Sequence, residues 1–207
     1  MTTIGSAVQA RSVEAIREAA SEARQRLRLA PDGRITLTDD FIETLLCRHI
    51  EPAYGVSIDW RDDQDEELRG ALGMYRPEQR VLLLRESVVR QASAGDVDAH
   101  FTIFHELGHI HMHSEAQHFR MVPGRALTKH HDAEWQADQF AIAFAIDRLQ
   151  LIESYGPDNI RRAANYFRVP FLKLQAAVID MKTRGEFASN KNGIEQYLDA
   201  IQGDFDF

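Results

Sequence analysis

The sequence predicts a helix-rich α+β fold with one small, three-stranded, mainly antiparallel sheet. Three observations predict it. Apolar residues recur at helical spacing over most of the chain, from residues 6–29 near its start to 170–184 near its end. Three short strand-like runs lie together between residues 55 and 84, with turn residues between the last two. After the strands comes FTIFHELGHIHMH, residues 101–113, a helical pattern that contains His-Glu-x-x-His.

A length of 207 residues accommodates one medium domain or one domain with appendages. The organisation reads as an N-terminal helical extension (1–34), a central domain carrying the strands and the histidine helix (35–150), and a C-terminal helical region packed on it (151–207). An apolar fraction of 44% and a charged fraction of 27% suit a soluble globular protein. The net charge of -8 argues against a non-specific nucleic-acid binder, because phosphate backbones reward clustered Lys and Arg. Cys47 is the single cysteine, so no intramolecular disulfide forms, which favours a reducing compartment. Lying among Leu45, Leu46 and Ile50, it reads as a buried structural thiol. The N-terminus lacks the apolar stretch of a secretory signal, and the longest apolar run, 140–146, is too short to cross a bilayer. The expectation is a cytoplasmic protein with no membrane partner.

Residues 6–29 read as an amphipathic helix, with Val8, Ile16, Ala19, Ala20, Ala23 and Leu27 near one stripe and charges opposite. It either packs on its own domain or serves as a docking helix. Pro31-Asp32-Gly33 ends it. Residues 39–51 read as a second helix capped by Thr38 or Asp39, with Phe41, Ile42, Leu45, Leu46 and Ile50 inward. Strands follow at 55–60, 70–75 and 80–84, the last two joined as a hairpin by Arg76-Pro77-Glu78-Gln79. The acidic run 62–67 reads as a solvated loop, with a site for basic substrate side chains as the alternative. The strand at 80–84 is expected to be an edge strand that pairs with an extended substrate, since main-chain pairing tolerates any sequence.

Residues four apart share a helix face, so His105 and His109 project together and can hold one zinc ion. Glu106 can then take a proton from the attacking water. Ala94-Gly95-Asp96 is the expected helix start. His113 continues the four-residue series, but a straight helix drifts by about 40° per four residues, so it is expected at the helix end, favoured by the dipole. His111 is expected at the surface. Residues 114–131 read as a loop whose His118, Arg120, Arg125, Lys129, His130 and His131 are candidates for stabilising an oxyanion.

Residues 132–146 are strongly helical, with Ala137, Phe140, Ala141, Phe144 and Ala145 in one stripe. A catalytic zinc site needs three protein ligands and an open position, and Glu134 can be the third ligand. Asp138, one turn on, can accept from the outer nitrogen of a metal histidine and set its tautomer. Zinc suits two histidines and a carboxylate, with manganese or iron as alternatives.

The histidine helix, preceded by a hairpin strand and followed by Glu134-Trp-Gln-Ala-Asp138-Gln-Phe-Ala, resembles the ImmA/IrrE family of bacterial metallopeptidases over residues 50–150. Gln136 departs from the glutamate that the family often carries there. The resemblance implies a gluzincin-like (zincin-like) zinc peptidase fold with His105, His109 and Glu134 as ligands and Glu106 as base. It also implies a substrate class: a helix-turn-helix repressor whose cleavage switches on phage, mobile-element or stress genes.

Residues 157–168 and 170–184 read as two helices joined at Val169-Pro170, with helix-turn-helix-like spacing and local positive charge from Arg161, Arg162, Arg168, Lys173, Lys182 and Arg184. The acidic balance favours packing on the peptidase over direct DNA binding. A short helical stretch is expected at 194–201. Two rival functions stay open: a metal-containing antirepressor that cuts nothing and tolerates loss of Glu106, and a DNA-binding regulator acting through 157–184, recognisable by salt-dependent duplex binding.

Overall fold

Ser12 starts the first helix, α1 (Val13–Arg26), by accepting the Ala15 amide at 3.1 Å on its side-chain oxygen. The computed structural model describes residues 8–29, 41–68, 70–113 and 129–187. Helix α1 is therefore shorter than the 6–29 pattern suggests. Val8 is buried from an extended segment instead, whose amides at Val8 and Arg11 donate to the carbonyls of His131 and His130. The expected turn at 31–33, the caps Thr38 and Asp39, and the stretch 194–201 lie outside the described residues.

The second helical region runs as α2 (Phe41–Glu43), a π-helical stretch (Thr44–Ile50) and α3 (Glu51–Tyr54). Pro52 explains the π turn. Its ring would meet the carbonyl four residues back in a regular α-helix, and a wider turn relieves the clash. Leu45, Leu46 and Ile50 stay fully buried, while Cys47 is half-buried against the core, with its thiol pushed up by burial and then by Glu51 and Glu43.

The sheet contains β1 (Ser57–Arg61), β2 (Gly73–Arg76) and β3 (Val81–Arg85) in the order β1-β3-β2. The β2–β3 hairpin is antiparallel, and β1 pairs with β3 in parallel. Two expectations are corrected here. The sheet is mixed, not mainly antiparallel, and the third strand is central, not an edge. The reason is in β3 itself. Val81-Leu-Leu-Leu84 is a continuous apolar run, and Leu82, Leu83 and Leu84 are at most 1% exposed. A strand apolar on both faces reads as one covered on both faces, the usual setting of a strand inside a sheet.

Helix α4 (Glu86–Ser93) leaves β3 directly, and Gly95 at φ 88 turns the chain into α5 (Val97–His113). Asp96 accepts the Ala99 amide at 2.8 Å and so begins α5, as its sequence suggests. A 3₁₀ turn (Lys129–His131) precedes α6 (Ala133–Ala145), where Asp132 accepts the Glu134 amide. Helices α5 and α6 pack face to face, and α1 covers the other side of α6. Gly108 makes the α5–α6 approach possible. A methyl group there would sit 3.2 Å from the Cα of Ala137 and 3.1 Å from the Phe140 ring. Phe104 and Phe144 fill the same interface with ring centres 5.1 Å apart.

The chain continues as α7 (Arg148–Gln150), a π-helical stretch (Leu151–Tyr155), α8 (Ile160–Phe167) and α9 (Phe171–Thr183). Helix α9 packs on α6. Glu186, just past α9, receives Arg17 at 3.0 Å, Arg148 at 2.8 Å and Arg184 at 2.8 Å, which ties α1, α7 and α9 together. Partial burial pushes its carboxyl up, but the three guanidinium hydrogen bonds outweigh this and hold it at about 2, against 4.5 for an ordinary glutamate. Glu186→Gln is expected to cost about 2 kcal/mol in urea unfolding at pH 7. A depressed folded pKa stabilises above the unfolded value. The wild-type advantage is therefore complete above about pH 4.5 and lost as pH falls through about 2. An advantage that grows on acidification would refute this.

Among the described residues, no helix is long and apolar enough to cross a membrane.

Candidate metal centre

Helix α5 brings His105 and His109 to one face, and α6 crosses it with Glu134 and Asp138 turned inward. The Nε2 atoms of His105 and His109 lie 3.1 Å apart. Glu134 Oε2 is 3.2 Å from His105 Nε2, and Glu134 Oε1 is 3.5 Å from His109 Nε2. Among the described residues these three form the group able to hold a metal ion, with ligand atoms all within 4.8 Å of one another. Bonds of 2.0–2.1 Å from a tetrahedral ion put its ligands about 3.3–3.4 Å apart. The two histidine nitrogens stand near that distance from each other, each also stands near it from one oxygen of Glu134, and two imidazoles with a carboxylate are a donor set that zinc accepts. The residues therefore fit the ion.

The electrostatics describe the same triangle holding a proton. Burial disfavours a charge on His105, but hydrogen bonds to Asp138 and Glu134 outweigh it and raise its pKa to about 9. Burial and the neighbouring His105 push His109 down to about 3, so it stays neutral. The His105 hydrogen bond holds Glu134 below the usual carboxylate range against the opposing effect of burial. A divalent cation held by His105, His109 and Glu134 would take the place of that proton.

Glu106 is buried at 6% exposure and pushed up to about 7 by burial, partly opposed by His105. Its Oε2 accepts the Tyr75 amide at 2.9 Å. That bond places Glu106 under strand β2, and Gly73 makes room for it: a Cβ at Gly73 would lie 3.0 Å from Glu106 Cγ and 2.9 Å from a Leu84 methyl. The Tyr75 amide therefore points away from β3. By strand alternation Gly73 points the same way, so β2 offers its open edge to the cleft. The cleft has a volume of about 330 Å³ and is lined by Val8, Gly73, Tyr75, Glu106, His109 and Glu134, among others.

His105 Nδ1 donates to Asp138 Oδ1 at 3.0 Å, the contact expected of Asp138. The other oxygen, Oδ2, receives Lys173 Nζ of α9 at 2.5 Å. Lys173 also lies over the Phe101 ring, 5.2 Å from its centre. Burial raises the Asp138 carboxyl, and His105 and Lys173 bring it below its ordinary value. Lys173→Met keeps the stem on Phe101 and removes the charge. It is expected to weaken zinc retention about tenfold in chelator competition, with Lys173→Arg restoring most of it. Equal retention in Lys173→Met and wild type would show that Asp138 needs no support from α9.

Of the histidines beyond the motif, His111 departs from expectation, while His113 stands at the end of α5 as expected. His111 is not at the surface: its ring packs on Phe140 and bonds the Tyr54 hydroxyl at 2.8 Å. Positions 104, 107 and 111 share one helix face, so His111 follows the apolar stripe inward. His113 is not held simply by the helix dipole. It is 7% exposed, meets His109 Nδ1 at 3.1 Å and Gln136 Oε1 at 3.0 Å. Gln136 is fully buried. Its place in the α6 apolar stripe, between Ala133 and Phe140, was the available sign of an inward polar residue. Of the oxyanion candidates, His118, Arg120, Arg125 and the Lys129 side chain lie outside the described residues. His130 donates Nδ1 to the Arg11 carbonyl at 3.1 Å and stands edge-on to Trp135.

A family model described as the IrrE N-terminal-like domain (Peptidase_M78) matches residues 72–177, 106 of the 207 residues. A search of curated proteins finds no match.

Proposed function

The chain belongs to the Peptidase_M78 family of metallopeptidases, and from that premise we propose that it is a zinc-dependent endopeptidase that cuts a helix-turn-helix transcriptional repressor in the cytoplasm and thereby derepresses phage, mobile-element or stress genes. The observation that carries the reading is the convergence of two imidazole nitrogens and a carboxylate, with ligand atoms all within 4.8 Å of one another, beside a buried glutamate and an open strand edge.

A bound divalent ion supplies a Lewis acid that acidifies water and polarises the scissile carbonyl. The substrate enters as an extended segment along the open edge of β2, not along β3, whose two sides are already paired. Glu106 has one oxygen engaged by the Tyr75 amide, so its other oxygen, Oε1, takes the proton of the attacking water. The same carboxyl passes that proton to the leaving amine. Burial has raised Glu106 toward neutrality, which suits a group that must both accept and donate. Asp138 holds a proton on His105 Nδ1, which would leave the Nε2 lone pair available to a bound ion.

Four of the six cations named in the C-terminal helices support this reading over a DNA-reading one, because they are engaged within the protein. Arg161 lies over Phe171, Arg168 donates to the Gly95 carbonyl, Lys173 holds Asp138, and Arg184 pairs with Asp180 and Glu186.

The test is to load the protein with zinc, mix it with a helix-turn-helix repressor encoded beside its gene, and sequence any new N-terminus by mass spectrometry. One cut, prevented by a chelator and restored by zinc, is the expected result. Relief of repression with the repressor intact would replace it with the antirepressor reading.

A further inference from the structure

The direction of every hydrogen bond around Gln136 is dictated by two backbone carbonyls. Gln136 Nε2 lies 2.9 Å from the Gln9 carbonyl and 2.6 Å from the His130 carbonyl. A carbonyl can only accept, so both amide protons of Gln136 are committed as donors. Its Oε1 must then be the acceptor toward His113, and His113 Nε2, at 3.0 Å, must carry a proton. His113 bonds a side-chain amide and a second imidazole, so at pH 8, above the ordinary imidazole range, the ring is neutral and its Nδ1 carries only a lone pair. His109 Nδ1, 3.1 Å away, must therefore donate. A neutral His109 that donates from Nδ1 has its lone pair on Nε2, the atom that faces His105 Nε2 and Glu134.

From this we infer that Gln136 is a positioning residue that sets the tautomer of His109 through His113, so that the Gln9 and His130 carbonyls, in the segment before α1 and the turn before α6, dictate which nitrogen faces the metal. The two histidines of the motif thus receive the same instruction by different routes. Asp138 directs His105 with a carboxylate, and a neutral three-residue relay directs His109. A carboxylate beside each imidazole would add a second buried negative charge near Glu134 and Glu106. A neutral relay orients the ring without that charge. Gln136 and His113 are buried to 0% and 7% exposure, so water cannot substitute for either partner without reopening the core.

The inference rests on the metallopeptidase reading, and the experiment separates the two. Nitrogen-15 NMR of histidine-labelled, metal-free protein at pH 8 reports which ring nitrogen carries hydrogen. The expected pattern is hydrogen on Nδ1 of His109 and on Nε2 of His113. Hydrogen on Nε2 of His109, or rapid averaging between its nitrogens, overturns the inference with no variant needed. In Gln136→Leu, His109 is expected to average between tautomers, and zinc affinity is expected to fall by about 10- to 100-fold. A purely structural Gln136 would lower affinity equally with or without His113. In a His113→Phe background, therefore, Gln136→Leu is expected to add no further loss of affinity, and an additive loss refutes the relay. If wild type shows the expected tautomers but holds no zinc, the metallopeptidase reading fails and the relay stands as a structural fact. If wild type holds zinc and the tautomers are reversed, the relay fails and the metallopeptidase reading stands.

Discussion

Glu106→Gln is expected to abolish cleavage while leaving the metal in place. The substitution is nearly isosteric, so the side chain still fits the space beneath Gly73. Its amide oxygen can still accept the Tyr75 amide that the carboxylate accepts at 2.9 Å. What it cannot do is take a proton. General-base catalysis contributes about 10²–10⁴-fold, and more where base and metal act as a unit, so kcat/KM should fall by about 10³-fold or further. Zinc content by atomic absorption should remain near that of wild type, because Glu106 is not among the three groups that meet at the ion. The fold should survive as well, since an amide buried in place of a raised carboxyl removes a desolvation cost. Cleavage within tenfold of wild type would remove Glu106 from the mechanism. Loss of zinc along with activity would instead make it a partner of the ligands.

Removing a ligand should have the next largest effect, on stability as well as activity. Zinc at about a thousand times its Kd stabilises a protein that binds it only when folded by about 4 kcal/mol. For a chain of this size that is a rise in Tm of roughly 10 °C. His109→Ala leaves His105 and Glu134, a pair on two different helices, and breaks the relay from His113. The zinc-induced rise should vanish in the variant. In the absence of metal, the variant should melt somewhat below wild type, because the alanine removes the hydrogen bonds of His109 to His105 and His113. An undiminished zinc response in His109→Ala, read by differential scanning calorimetry, would place the ion elsewhere.

The inward face of α5 was legible because it depends on one number, the helical repeat. Residues 105 and 109 must share a face wherever the helix lies, and 134 and 138 must do so on α6. The start of α5 at Asp96 was readable in the same local way, whereas the Ser12 cap was passed over inside the longer 6–29 pattern. Order within the sheet was harder to read. A hairpin between β2 and β3 follows from the turn at 77–80, but nothing local says on which side β1 attaches. The apolar run of β3 was the one sign of a central strand.

By itself, then, the sequence determined the helix-rich α+β class, the two helices that carry the ligand candidates, and the residues each turns inward. The tertiary structure alone decided that β2 rather than β3 borders the cleft, that His111 is half-buried and His113 buried, that Lys173 stands behind Asp138, and that Gln136 commands the tautomer of His109. The division has a physical cause. Periodicity and capping act between residues three or four apart along one element, whereas a strand's neighbour or a buried hydrogen's acceptor can be any of the groups that folding brings near. Gln9, His130 and Gln136 meet only after three separate segments have packed.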